Sequence, residues 1–283
     1  MFRIATLIVL LGCCKSGLAQ IEQIIGAKAA VFGGFGSAGN AEASVLLTNP
    51  AGMAGVNTFS ATIAAGQPFF LEALNTAALA AVLPFQNHYV GFSAYSRGNN
   101  LFRQTQVSAA YAISLFENKF RGGVKLGGYN TNIPEYGTQT CWIIDAGLQT
   151  TISKSIDIGV RVTNLNQAQL KINREEPLPT VLAAGVLWKI GKTFAAGAEV
   201  VQNSTWPTDL RFGLEYKPHP ILAIRIGTRT EPFVYIAGIG INWKSYQLDV
   251  AMEHHLMLGF TPQLSFSYLV NRPNDAEKKQ QKP

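Results

Sequence analysis

The chain has 283 residues, of which 47% are hydrophobic and only 14% charged, with 27 glycines and a formal net charge of +6. A soluble protein of this size carries about 25% charged residues. No basic cluster with interleaved aromatics marks a nucleic-acid surface. Low charge without long apolar runs is the signature of alternation, with one face in lipid and one in a lumen. A secreted β-sandwich is the competing architecture, but its loops would carry more charge.

The N-terminus opens with one basic residue, Arg3, before an apolar run from Ile4 to Leu11. A helix needs about 20 apolar residues to span a bilayer, so this run has the length of a signal-peptide core. Gly17-Leu18-Ala19 places small residues at a cleavage site, giving a signal peptide over 1–19 and a mature chain from Gln20. Leu10-Leu11-Gly12-Cys13 is a rival lipobox, which would leave Cys13 lipidated. After a cut at Ala19 only Cys141 remains, which excludes an internal disulfide and a cysteine metal site.

Residues 20–56 do not alternate. They are rich in small residues, and Asn49-Pro50 favours a turn. A plug or hatch inside a lumen suits this composition. From residue 57 the sequence alternates with period two in segments of roughly 10 residues. The predicted strands are 57–66, 73–84, 87–97, 102–115, 118–130, 138–150 and 154–164 in the first half. In the second half they are 179–190, 193–203, 208–217, 220–229, 232–243, 245–254 and 262–270. The fold class is therefore all-β: a transmembrane antiparallel barrel of about fourteen strands over 57–270, in the outer membrane of a Gram-negative cell. Tight turns at Gln86-Asn87, Glu117-Asn118, Ser153-Lys154, Gly191-Lys192, Pro218-His219 and Lys244-Ser245 alternate with longer loops, among them 165–178 and 255–261. Residues 271–283 form a polar tail.

Register follows from the charges. Leu210, Phe212, Leu214 and Tyr216 share one face of a strand, and Asp209, Arg211, Gly213 and Glu215 the other. A slip of one residue would put carboxylates in hydrocarbon. With every apolar face in lipid, Arg97, Arg121, Lys125, Arg161, Lys189, Arg211 and Arg225 point inward. So do Asp145, Asp157, Glu199, Asp209, Glu215, Asp249 and Glu253. Balanced signs fit a salt-bridged lumen, whereas an ion-selective pore shows an excess of one sign. A conducting lumen stays open as the alternative.

No catalytic, cofactor-binding or metal-ligating set emerges. His254 and His255 sit beside Glu253, but neighbours in a strand point to opposite faces. The outer loops carry Phe69, Phe70, Trp206 and Phe260, which suit either a headgroup-level aromatic girdle or contact with a partner or ligand.

The segment Gly26-Ala27-Lys28-Ala29, then Gly33-Gly34, then Asn49-Pro50-Ala51-Gly52, resembles the opening of the PorV/PorQ family, which is similar to the FadL-like barrels. Leu178-Pro179-Thr180 and the ending GIGINWKSYQLDVAM…LGFTPQLSFSYLV resemble the same family. The resemblance implies a fourteen-stranded barrel with an N-terminal plug, a bacterium of the Bacteroidota type, and service to a type IX secretion system. Phe32 and Phe35 interrupt the small-residue run of that pattern, and the chain is short for it. Three functions follow as expectations: a non-enzymatic scaffold binding other envelope proteins, a FadL-like channel for hydrophobic small molecules, and an accessory subunit of another outer-membrane complex.

Overall fold

The computed structural model describes residues 25–31, 38, 42–172 and 174–270. The predicted signal peptide, Phe32, Gly33, Gly34, Phe35 and the predicted polar tail lie outside the described residues. The strands in chain order are β1 (Ser60–Gly66), β2 (Thr76–Phe85), β3 (His88–Gly98), β4 (Arg103–Leu115), β5 (Phe120–Ile133), β6 (Gly137–Ser153), β7 (Ile156–Thr163) and β8 (Gln169–Ile172). There follow β9 (Arg174–Pro177), β10 (Val181–Ile190), β11 (Phe194–Asn203), β12 (Asp209–His219), β13 (Leu222–Thr230), β14 (Phe233–Trp243), β15 (Tyr246–His255) and β16 (Gly259–Leu269).

All but β8 and β9 form one closed antiparallel barrel of fourteen strands. β1 and β16 close it in register, Ser60 opposite Leu269, and Thr62 and Ser267 share a hydroxyl hydrogen bond of 2.8 Å across the seam. Closure leaves no unpaired edge, which hydrocarbon would not tolerate. Among the described residues no helix is long and apolar enough to cross a membrane; a closed barrel with an apolar outer face crosses with its strands.

Exposure is inverted relative to a soluble protein. On β12 Leu214 is 54% exposed while the adjacent Glu215 is 6% exposed. The period-two alternation therefore sets a lipid face of Leu, Ile, Phe and Trp against a polar interior. The short turns cluster at the end where β1 begins and β16 ends, the periplasmic end of such barrels.

Two expectations change in detail. The predicted outer loop 165–178 contains the β8–β9 hairpin, whose base packs Ala168, Leu170 and Leu178 on Tyr129 and Ile143. β16 also begins earlier than predicted, at Gly259, whose positive φ of 89° makes the turn that launches the strand.

The N-terminal segment packs against the inner wall. A short helix α1 (Ala27–Val31) lies on β13–β16, where the Ala27 amide donates to Ser265 Oγ at 2.9 Å. Two 3-10 turns, Ala43–Leu47 and Pro50–Gly55, lie against β1–β6. Val45, Leu46, Met53 and Val56 fill a core with Ala80, Val82, Tyr89, Ala110 and Ala112. The wall receives them at inward glycines. A Cβ on Gly123 would lie 2.5 Å from the Pro50 carbonyl carbon, and one on Gly238 would lie 2.5 Å from Val31 Cγ2. At Gly91 it would strike Met53 and Leu46, and at Gly147 the Asn49 side chain. A glycine inside a strand marks such close approach.

Candidate functional site

Asn49 and Pro50 explain the seat of this segment. Asn49 is fully buried and caps the second 3-10 turn, its Oδ1 accepting from the Ala51 amide at 3.0 Å, with Pro50 at the first position where no N–H is needed. Its Nδ2 donates to the Val160 carbonyl of β7 at 3.4 Å. Gly52 is buried within the turn, and Gly26 takes φ 112° just before α1. Lys28 and Glu42, 3.6 Å apart, tie α1 to the first 3-10 turn.

Most of the inward charges pair with near neighbours on the wall. Glu199 and Arg211 are directly opposed on β11 and β12, as are Glu215 and Arg225 on β12 and β13, and Lys125 and Asp145 on β5 and β6. Arg225 Nε lies 2.7 Å from Glu215 Oε2, and its Nη1 bonds Asp249 Oδ1 two strands away. Gly240 on the intervening β14 makes this reach possible, because a Cβ there would overlap Asp249 and Arg225. Arg211 binds Asp209 at 2.7 Å and Glu199 at 3.6 Å, and Arg161 approaches Glu199 at 3.8 Å. Lys125 binds Asp145 at 2.8 Å and donates to the Leu46 carbonyl of the N-terminal segment at 3.4 Å. Lys189 holds Asp157 at 2.6 Å, and Arg121 donates to Thr151 at 3.4 Å. Buried ions demand such partners.

Among the described residues, two cavities lie between the N-terminal segment and the outer mouth. The deeper one, about 200 Å³, is bordered by Ile25, Leu47, Tyr95, Tyr129, Ile143 and Leu178 on its apolar sides. Arg97, Gln104, Gln106, Ser93, Ser108 and the Lys125–Asp145 pair supply its polar sides. The second, about 140 Å³, lies at the mouth among Pro68, Phe69, Leu74, Leu258, Arg97, Arg229, Glu253 and His255. Arg97 borders both. A third hollow of about 590 Å³ lies on the lipid side of the wall, where Ala65, Ala77 and Ala94 replace the larger residues of the surrounding belt.

The four outer aromatics do not converge. Phe69 is half-buried in the mouth cavity, its amide donating to Thr261 Oγ1 at 3.1 Å. Phe70 beside it is exposed, and Trp206 lies in the loop between β11 and β12. Phe260 stands on β16 rather than in a loop, outward and stacked on His254 with centroids 4.5 Å apart. The expected placement of Phe260 in an outer loop is therefore corrected: the early start of β16 carries it to the lipid-facing side, away from Phe69. His255 turns inward, where its Nδ1 accepts from the amides of Met257 and Leu258 at 3.1 and 3.2 Å. The two histidines thus sit on opposite faces in separate structural tasks.

Sequence reasoning overlooked Arg229, which meets Glu253 at 2.9 Å, with Gln263 completing that carboxylate at 2.7 Å. It also overlooked Gln104 and the inward glycines. Arg229 falls inside the predicted strand 220–229, four residues after Arg225 on the same face, so its inward position was legible from the alternation. Gln104 carries no charge to flag it.

No protein-family model matches this sequence, and a search of curated proteins gives no match. Solved structures do match. The toluene transporter TbuX of Ralstonia pickettii aligns with a TM-score of 0.61 at 12% identity, over 87% of this chain and 98% of that one. The toluene transporter TodX of P. putida gives 0.62 at 12%, over 88% and 99%. A Pseudomonas aeruginosa FadL homologue gives 0.63 at 10%, over 87% and 98%. These three are transporters or FadL homologues rather than enzymes. The chain has the fold of the FadL-like outer-membrane barrels.

Proposed function

We propose that the protein is an outer-membrane channel for small hydrophobic compounds, whose path runs from the apolar mouth at Phe69, Leu74 and Leu258 into the deeper cavity beside Tyr95 and Tyr129. The observation that carries this reading is the pair of cavities bordered by one residue, Arg97, above a segment seated in the wall. The many inward charges do not oppose it. Arg211 and Arg225 are held by carboxylates on adjoining strands, so those charges form wall rather than passage. The FadL-like fold, found in the toluene transporters compared above, supports the same reading.

The scaffold alternative rests on exposed outer-loop residues such as Phe70, Leu71 and Met257. The PorV/PorQ, Bacteroidota and type IX parts of the resemblance gain nothing from the three structures compared. The test is uptake by Gram-negative cells, whose lipopolysaccharide leaflet slows hydrophobic permeation. Cells carrying the protein should take up radiolabelled toluene several-fold faster than cells carrying an empty vector. Equal initial rates would contradict the channel.

A further inference from the structure

We infer that the deeper cavity recognises a compact organic anion, a carboxylate attached to about one ring, through Arg97 and Gln104. This rests on the channel reading and narrows its substrate class. Arg97 on β3 and Gln104 on β4 are direct partners in the register and face the same cavity. Arg97 Nε and Gln104 Nε2 are both buried without a hydrogen-bond partner, and Gln104 is only 3% exposed. Two orphaned donors side by side match the two oxygens of a carboxylate. Burying a donor without an acceptor is costly, and a ligand oxyanion removes that cost.

Charge points the same way. Among the cavity's other ions, Lys125 pairs with Asp145 and Arg161 with Glu199. Arg97 has no ion pair among the described residues. Among the cavity's described residues Arg97 is therefore the cation without a carboxylate partner. A guanidinium and an amide N–H also suit a flat carboxylate better than a point charge does.

Size sets the remainder of the ligand. The cavity measures about 200 Å³. A cavity of about 150 Å³ admits benzene, whereas pockets for drug-sized ligands begin at about 300 Å³. One ring fits, with Tyr95, Tyr129, Ile143 and Leu178 as its apolar walls.

Benzoate and its neutral counterpart benzamide are the probes, titrated calorimetrically into the detergent-solubilised barrel. Benzoate should bind at least about tenfold more tightly, the ratio expected for hydrogen bonds to a charged group. Arg97→Gln should erase that ratio, and Gln104→Leu should reduce it. Equal affinities in the unaltered protein overturn the inference, as does a ratio that survives Arg97→Gln. The unaltered comparison holds even where a variant fails to fold. Toluene uptake by cells reads the channel separately. Uptake with no benzoate preference overturns this inference and leaves the channel, whereas a benzoate preference without uptake supports the site and removes the channel.

Discussion

Replacing Gly147 with valine should unseat the N-terminal segment and turn a closed barrel into an open pore. Gly147 lies on the inner face of β6 between Asp145 and Gln149, both buried. Its backbone does not take the left-handed conformation, so a side chain is forbidden only by what stands opposite. That neighbour is Asn49, whose side chain a Cβ would overlap. Asn49 cannot step aside cheaply. Its amide caps the turn at Ala51 and bonds the Val160 carbonyl, and leaving such buried groups unpaired costs about 1–3 kcal/mol each. The segment must then move as a unit, and Gly123 offers Pro50 no alternative seat. Conductance across planar bilayers is the measurement. The unaltered protein should show little steady current and Gly147→Val a persistent one, with Gly147→Ala between them. Identical traces for all three would show that residues 42–56 do not close the lumen.

The second large effect lies on the charged wall. Arg225→Met should destabilise the barrel by about 3 kcal/mol, the lower end of the range for breaking a buried ion pair. Arg225 joins Glu215 to Asp249 at 2% exposure. Its loss leaves Glu215 with Lys217 at 2.7 Å, but among the described residues Asp249 keeps only the Gln247 amide at 2.6 Å. Adding Asp249→Asn removes the stranded charge and should restore most of the loss. Urea midpoints in detergent micelles report both variants. If Arg225→Met unfolds at the unaltered midpoint, the wall charges are not mutually dependent.

Much of the barrel was legible because alternation is local. A strand such as β12 declares both faces within Asp209–His219, and its carboxylates fix the register without reference to the rest of the chain. Fourteen such segments imply closure. Less local features escaped. β8 and β9 are four residues each and rich in charge, too short for periodicity to separate them from loop. The early start of β16 depended on the backbone at Gly259, which moved Phe260 from mouth to lipid. The glycine seats were invisible for a different reason. Gly123 and Gly147 read as ordinary weak strand positions until Asn49 and Pro50, more than seventy residues earlier, are placed against them. The balance of inward charges was read from the strands, but pairing was not. Only the register shows Arg225 spent on Glu215 and Asp249, while Arg97 faces Gln104. That difference separates a lumen filled by its own ions from one with a place for a ligand.

The most direct test of a ligand-carrying lumen is a crystal of the barrel soaked in bromobenzene, read by the anomalous signal of bromine. The account predicts bromine in the deeper cavity between Tyr95 and Tyr129, inside the wall. Bromine confined to the lipid-side hollow at Ala65, Ala77 and Ala94, with none in the lumen, would contradict it.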